Sequence, residues 1–327
     1  MITAYVATKK NLVERSVVTA ESVLPVVEAL WLDLYEPTAD ERARVEAAIG
    51  LQLPTHEEMR EIEPSSRLYA EDGAVFMTGT FISHADEAVP TSDAISFVLT
   101  QRTLLTVRYS DPRPIATFAQ RLCKGPSTLL TGEDVFVGLL EAFVDRIADI
   151  LERVAIDIDR TSRVIFDEAN GAGRRDMQSI IRTLGRNEDL ASSSRESLLS
   201  LTRLVRFHAA TFEAESKKET KEMKARVRSL TRDIESLSEH VSYESHKINF
   251  LLDATLGQIN IEQNRIIKLF SVVAVIFLPP TLVASIYGMN FHHMPELDWL
   301  WGYPWALGLM VLSAVLPLLY FWRKKWF

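Results

Sequence analysis

Two long uncharged apolar runs near the C-terminal end constrain the fold of this chain more than any other feature. Leu269–Tyr287 holds nineteen residues without a charge, and Tyr303–Trp322 holds twenty. A helix needs about 20 apolar residues to cross a bilayer. The sequence therefore predicts two membrane-spanning helices, with almost the whole protein on their N-terminal side.

The basic residues predict how these two spans are oriented. No Lys or Arg occurs between Lys268 and Arg323, whereas Arg265 and Lys268 precede the first span and residues 323–327 form a basic tail. Basic residues concentrate on the cytoplasmic side of a membrane. We therefore expect both termini in the cytoplasm and an outward-facing loop at residues 288–302.

Composition and missing motifs exclude several classes of protein. The net charge of −8 argues against a nucleic-acid partner. The single cysteine, Cys123, excludes an internal disulfide and fits a reducing compartment. The first thirty residues resemble neither a signal peptide nor a transit peptide. The chain has no phosphate-binding Gly-Lys-Ser/Thr loop, no nucleophile–base set and no Cys/His cluster with metal-site spacing. An enzyme is therefore the least favoured class, and we expect no organic cofactor.

The long segment before the membrane divides into three predicted parts. Residues 1–125 are expected to form an α/β domain, in which Thr38 caps a helix and Thr100–Thr103 makes a hairpin turn. Apolar runs predict its strands at Ile2–Ala7, Ala29–Leu34, Ala74–Ile82 and Ala94–Val107. Residues 126–215 are expected to form an antiparallel helical hairpin, with helices at 132–168 and 174–207 separated by Asn170–Gly173. Residues 216–268 are expected to form a stalk helix, starting between residues 220 and 229 and continuous with a first span at 269–287. The second span is expected at 303–322. The predicted fold class is thus an α+β membrane protein.

One face of the stalk helix and first span is small and polar. Steps of three and four back from Gly288 give Ser285, Thr281, Leu278, Ala274, Ser271, Ile267, Asn264, Asn260, Gly257 and Asp253. Polar residues within a span are costly unless they face a bundle interior or water. Two spans cannot enclose an aqueous path, so several copies must place this face around one axis. For Ala274 and Ser285, close helix packing through small residues remains an equal alternative.

The bulky residues of the first span fall on its other faces. These residues are Val272, Val273, Val275, Ile276 and Phe277. Their positions suit contact with lipid or with a neighbouring helix. Two large apolar side chains, Ile267 and Leu278, belong to the polar face itself, where rings of them would form dry constrictions. Pro279–Pro280 is expected to bend the span.

Several segments together resemble the CorA family of magnesium transporters. The motif Tyr287-Gly288-Met289-Asn290-Phe291 is followed by Met294-Pro295-Glu296-Leu297, two spans and a basic tail are present, and Trp31-Leu32-Asp33-Leu34 is followed by Pro37. Ile261–Lys268 and Phe277–Ser285 resemble the enterobacterial branch of the family. This resemblance implies a homopentamer with a funnel-shaped cytoplasmic domain, in the bacterial inner membrane.

The resemblance also implies a role for individual residues. Gly288, Met289 and Asn290 would form the outer selectivity site, where Asn290 contacts the hydrated ion. The pore would be lined by Asn260, Asn264, Ile267, Ser271, Ala274, Leu278, Thr281 and Ser285, with Ile267 and Leu278 as a hydrophobic gate. Asp253 would bind regulatory Mg²⁺ between subunits, although an ordinary solvent-exposed acid is the alternative. Mg²⁺ would thus be both substrate and regulatory ligand.

One departure from the family pattern lies at the outer mouth. Close relatives often have an acidic residue two places after the Asn, whereas His292 and His293 follow Phe291 here. Glu296 and Asp298 are the remaining acids nearby. The histidines could bind softer ions such as Co²⁺, Ni²⁺ or Zn²⁺, or could bind no ion.

The sequence thus predicts a passive Mg²⁺ influx channel, driven by the membrane potential and closed by cytoplasmic Mg²⁺, that also passes Co²⁺ and Ni²⁺. One alternative is a zinc carrier of the same superfamily, with or without coupling to protons. Met289 counts against it, since those relatives usually carry Ile or Val there. A membrane-anchored sensor or scaffold is the alternative from another class.

Overall fold

The structure is a computed structural model that describes residues 1–8, 12–19, 28–87, 89–124, 131–166, 176–215, 221–290, 294–295 and 299–324. It divides into two compact units, Met1–Leu252 and Asp253–Phe327.

The N-terminal unit contains a mixed seven-stranded sheet. Its strands are β1 (Ile2–Ala7), β2 (Val13–Val18), β3 (Ala29–Tyr35), β4 (Leu68–Glu71), β5 (Ala74–Ser83), β6 (Thr91–Leu99) and β7 (Leu104–Arg108). They lie in the order β2-β1-β3-β7-β6-β5-β4. Only β3 and β7 pair in parallel, and the other neighbours are antiparallel.

The strands with apolar runs were predicted correctly, and the two edge strands were missed. The hairpin turn is confirmed, since β6 and β7 flank Thr100–Thr103 and the Thr100 amide donates to the Thr103 carbonyl at 3.0 Å. In the edge strand β2 the four central residues are exposed, and β4 is four residues long with no buried position. An edge strand that buries so little surface needs no apolar run, so the sequence gives no clear signal for it.

The helices are α1 (Ala39–Ile49), α2 (Pro64–Arg67), α3 (Arg113–Cys123), α4 (Gly132–Phe166), α5 (Met177–Glu215), α6 (Lys221–Tyr287) and α7 (Gly302–Arg323), with a 3₁₀ turn at Glu58–Arg60. Thr38 caps α1 as predicted. The Glu41 amide donates to Thr38 Oγ1 at 3.2 Å, and the Thr38 amide donates to Glu41 Oε2 at 3.0 Å. This reciprocal pair is a capping box.

Helices α4 and α5 form an antiparallel pair. Glu133, near the start of α4, lies 3.1 Å from His208, near the end of α5. The predicted end of the second helix at Phe207 was wrong, since α5 continues to Glu215. Residues 208–215 contain no Gly or Pro that would stop a helix. The predicted break at Asn170–Gly173 lies outside the described residues. The described part of α6 begins at Lys221, and residues 216–220 lie outside the described residues, so the predicted start of the third helix remains a prediction.

Helix α5 accepts hydrogen bonds from backbone amides along one edge of strand β5. Strand β4 pairs with residues 74–77 of β5, so the following residues along that edge need other acceptors for their amides. Ser200 Oγ accepts from the Thr80 amide at 3.1 Å, and Ser197 Oγ accepts from the Ile82 amide at 2.8 Å. These contacts join the sheet and the helices in one unit.

A buried ion pair joins the two parallel strands, β3 and β7. Arg108 Nη2 lies 2.9 Å from Asp33 Oδ2, and Arg108 Nε donates to Asp33 Oδ1 at 3.0 Å. Thr106 Oγ1 also donates to Asp33 Oδ1, at 2.7 Å. Both charged side chains are less than a tenth exposed. The pair therefore lies within the core, where each charge depends on the other.

Candidate ion pathway

In the described part of the chain, two helices are long and apolar enough to cross a membrane. They are α6, through its C-terminal part, and α7. Lys268 is the last charged residue of α6, and Arg323 and Lys324 stand at the end of α7. The predicted span boundaries at 269–287 and 303–322 remain predictions, because length and composition alone identify these segments.

The small and polar face of α6 is exposed along its whole length. This face comprises Asp253, Gly257, Asn260, Asn264, Ile267, Ser271, Ala274, Leu278, Thr281 and Ser285, and all ten are exposed. Because they recur at intervals of three and four, they lie on one side of the helix. The side chains of the described residues of one chain therefore leave this face open. Its predicted role as a pore lining remains a prediction.

The opposite face of the membrane part of α6 is the less exposed one. Val272 is 5% exposed, and Ile276, Val283 and Tyr287 are half-buried. Val273, Val275 and Phe277, in contrast, are exposed. The structure thus separates two groups among the bulky residues, one packed within the unit and one available to lipid. Val283 and Tyr287 were not recognised from the sequence, although they continue the same helical spacing.

Two of the three hydroxyl groups of the polar face, those of Ser271 and Thr281, donate to the helix itself. Ser271 Oγ donates to the Ile267 carbonyl at 2.8 Å, and Thr281 Oγ1 donates to the Phe277 carbonyl at 2.7 Å. Each oxygen keeps lone pairs that can accept a hydrogen bond. Such groups can accept bonds from the water shell of a cation, and they cost less in an apolar surrounding than free hydroxyls would.

Two prolines lie within the helix before its end. Pro279 and Pro280 have no amide hydrogen, yet α6 continues through them to Tyr287. The carbonyls of Val275 and Ile276 therefore lack their usual donors four residues ahead. The bend expected at this point remains a prediction.

The segment Gly288-Met289-Asn290 follows directly on the last turn of α6. The Gly288 amide donates to the Ala284 carbonyl at 2.9 Å, and a side chain at Gly288 would place its Cβ 3.0 Å from that same oxygen. Met289 is 47% exposed and Asn290 is exposed. The helix end thus presents an exposed amide side chain and backbone carbonyls that are no longer needed for helix hydrogen bonds. His292, His293, Glu296 and Asp298 lie outside the described residues.

Among the described residues, Asp253 belongs to no group of three or more metal-binding side chains. In the part of the chain that the structure describes, no group of three or more His, Cys, Asp or Glu residues is placed to hold a metal ion. Asp253, Asn260 and Asn264 are all exposed on the same face of α6. The regulatory role of Asp253 remains a prediction.

Comparisons with known proteins agree along the full chain. A family model described as "CorA-like Mg2+ transporter protein" matches residues 28–325. The chain is 36% identical over 308 residues to the magnesium transport protein CorA of Escherichia coli K12, which covers 94% of each chain. It is 35% identical over 328 residues to the magnesium transport protein CorA of Salmonella typhimurium, which covers 100% of each.

A solved structure shares the fold. The complete structure of the CorA magnesium transporter from Methanocaldococcus jannaschii matches with a TM-score of 0.75 at 17% identity, over 100% of this chain and 99% of that one. At this identity the match shows the fold alone. The sequence relatives and the family match together carry the assignment: this chain belongs to the family of CorA-like Mg²⁺ transporter proteins.

Proposed function

We propose that this chain mediates Mg²⁺ influx through a passive channel in the bacterial inner membrane, with both termini in the cytoplasm. The observation that carries the proposal is the open face of α6, which runs from Asp253 to Ser285, is small and polar except at Ile267 and Leu278, and leads to Asn290. The magnesium transport relatives at 35–36% identity support Mg²⁺ as the ion.

The channel requires several copies of the chain, and five is the number that the family resemblance implies. One chain contributes one polar face, and two spans leave no room for an aqueous path between them. Copies arranged around an axis would turn this face inward and keep Val273, Val275 and Phe277 available to lipid. Native mass spectrometry of the detergent-solubilised protein tests the number directly.

Selectivity is assigned to the exposed end of α6. Mg²⁺ loses its water slowly, so a site that binds the ion with its water shell intact permits faster passage than a site that removes the water. A ring of Asn290 amide oxygens, with the Gly288 carbonyls, can accept hydrogen bonds from that water shell without a fixed negative charge. Met289, at 47% exposure, is the third member of the site.

The gate is assigned to Ile267 and Leu278, which are 61% and 66% exposed on the polar face. Rings of these side chains would exclude water when the helices approach each other. Asp253 carboxylates from neighbouring copies would repel one another unless a cation lay between them. Cytoplasmic Mg²⁺ would therefore hold the closed state, and its loss would favour opening.

The membrane potential supplies the driving force. A potential of 100 mV contributes about 2.3 kcal/mol per charge, and thus about twice that for a divalent ion. Co²⁺ and Ni²⁺ are expected to pass as well, because the site reads a hydrated divalent ion. A zinc carrier is the alternative function, and ion competition distinguishes the two.

The test is Mg²⁺ flux into proteoliposomes at a fixed inside-negative voltage, with Asn290→Ala compared with the unchanged protein. We expect voltage-dependent flux that Asn290→Ala abolishes. The matched control is Ser313→Ala in α7, whose hydroxyl donates to the Met310 carbonyl at 2.8 Å and lies off the proposed path; its flux should be unchanged.

Other results would redirect the proposal. Zn²⁺ uptake with protons and without Mg²⁺ flux would replace the channel with the carrier. If folded protein moved no divalent ion in vesicles free of internal Mg²⁺, the sensor or scaffold function would take its place. Loss of inhibition by internal Mg²⁺ in Asp253→Asn would support the regulatory role of that residue.

A further inference from the structure

Three arginine side chains converge on the carboxylate of Asp86, in the turn after β5. Arg146 Nη2 and Arg113 Nη1 lie 2.6 and 2.5 Å from Asp86 Oδ2, and Arg153 Nη1 lies 2.5 Å from Oδ1. Partial burial raises the pKa of Asp86, but the hydrogen bond from Arg153 and the three positive charges outweigh burial and lower it. One ionised carboxylate thus faces three guanidinium groups, which is more positive charge than it can neutralise.

A cavity of about 130 Å³ lies against this cluster. Its lining includes Arg113, Arg146, Ser83 and His84. At about 30 Å³ per water, it has room for roughly four water molecules, which is enough for a small tetrahedral anion. Arg113 is also the first residue of α3, so the positive end of that helix dipole lies next to the cavity.

One buried polar group in the cavity wall has no protein partner. Ser83 is 3% exposed, and its Oγ finds no hydrogen-bond partner among the described residues. Buried polar atoms are nearly always satisfied, by protein, water or ligand. The Oγ atom itself has less than 1 Å² of accessible surface, so the side chain must rotate toward the cavity before its hydroxyl can donate to an anion that the two arginines attract.

The other acidic residues that line the cavity, Asp111 and Glu87, form no ion pair with the three arginines within the described part of the chain. Asp111 lies 2.8 Å from Arg108, a partner that it shares with Asp33, and the side chain of Glu87 is 67% exposed. Asp86 is the one acid that competes directly for the arginines. Each guanidinium has five N–H donors in a fixed fork, so donors remain after the single carboxylate is satisfied.

We propose that this cavity is a binding site for a phosphate group, held by Arg113, Arg146 and the Ser83 hydroxyl. A guanidinium binds phosphate oxygens in a bidentate fashion, and these bonds are among the stronger hydrogen bonds in proteins. The phosphate could be free phosphate or the phosphate of a small phosphomonoester. The site lies in the N-terminal unit and does not depend on the proposed transport function.

The test is isothermal titration calorimetry of the full-length protein in nanodiscs, with inorganic phosphate as the titrant and a buffer without divalent cations or sulfate. We expect saturable binding that Ser83→Ala weakens about tenfold, since it removes a hydrogen bond to a charged group. Asp86→Asn should instead tighten binding, because it removes the competing negative charge while an amide oxygen can still accept from the arginines.

The matched control is Ser96→Ala. Ser96 is also buried, its Oγ also lacks a partner among the described residues, and it lies on the neighbouring strand β6 away from the cavity. Its phosphate affinity should be unchanged. Thermal unfolding of each variant checks that the fold is retained.

Two results would overturn the proposal. One is the absence of saturable phosphate binding in the folded protein, which would mean that water alone satisfies Ser83. The other is equal weakening by Ser83→Ala and Ser96→Ala, which would indicate a general loss of packing. A parallel titration with adenosine monophosphate identifies the source of the phosphate: tighter binding than phosphate assigns a phosphomonoester, and equal binding assigns the free ion.

Discussion

Replacement of Asp33 by alanine tests how strongly the buried ion pair stabilises the N-terminal unit. The change removes the two carboxylate oxygens that accept from Nε and Nη2 of Arg108, whose side chain is 7% exposed, and also the acceptor of the Thr106 hydroxyl. Arg108 Nη1 still donates to Asp111 and to the Ser110 carbonyl. Removal of one partner from a buried pair costs about 3–5 kcal/mol, because the remaining charge stays buried and loses its buried counterion; Arg108 then keeps only the exposed Asp111 as a charged partner. For a domain of this size, each kcal/mol lowers the melting temperature by about 2–4 °C. We therefore expect Asp33→Ala to lower it by about 6–20 °C.

The same arginine provides the control for this prediction. Asp111 lies 2.8 Å from Arg108 Nη1, but its own side chain is 59% exposed. An exposed pair contributes about 0–1 kcal/mol, so Asp111→Ala should lower the melting temperature by at most about 4 °C.

Both variants are measured as full-length protein in detergent, by circular dichroism during heating. Equal shifts for the two substitutions would refute the reasoning, since both remove a carboxylate from the same guanidinium and differ mainly in burial.

Three further predictions concern other parts of the chain. Gly132→Ala places its Cβ 2.5 Å from the first backbone nitrogen of β7 and should lower the free energy of unfolding by about 1–3 kcal/mol. The Cβ of Gly185→Ala meets open space, and this variant should raise the free energy of unfolding by up to about 1 kcal/mol. Denaturant titration of both variants measures these changes. Asp86 has a lowered pKa in the folded protein, so its ionised form stabilises the fold at a pH above the unfolded-state pKa of about 4. This stabilisation is lost as the pH falls through the folded-state pKa. The melting temperature of Asp86→Asn should therefore fall less steeply below pH ~4 than that of the unchanged protein, and parallel curves would contradict the assignment. Leu278→Asn should raise Mg²⁺ flux against high internal Mg²⁺, whereas Ile286→Asn, which is off the polar face, should leave it low.

Elements with a strong local signal were predictable from the sequence. The alternation and length of apolar runs located β1, β3 and β5, and a Thr followed three residues later by Glu marked the start of α1. The sheet order was not predictable, because it depends on contacts between residues far apart in the chain. The β3–β7 pair, for example, joins residues that are 73 positions apart, such as Asp33 and Thr106.

The candidate pathway was predictable in part. The spacing of polar residues from Asp253 to Ser285 located one face of α6, since a regular helix fixes which residues share a side. The sequence did not show that this face would be left open, or that Val272 and Tyr287 would pack on the other side. Both depend on the position of the second span. The Asp86 cluster could not be predicted, because its arginines come from two helices that begin 27 and 46 residues after it.

The serine contacts along β5 have a consequence for synthesis of the chain. The Thr80 amide bonds to a hydroxyl 120 residues later, and the Ile82 amide to one 115 residues later. At about 5–20 residues per second, a ribosome needs roughly 6–24 s to reach those serines. During that interval the edge of β5 offers unpaired amides to any extended segment nearby, including another nascent copy. A pause before α5 would prolong this exposure, and a chaperone that covers the edge would shorten it.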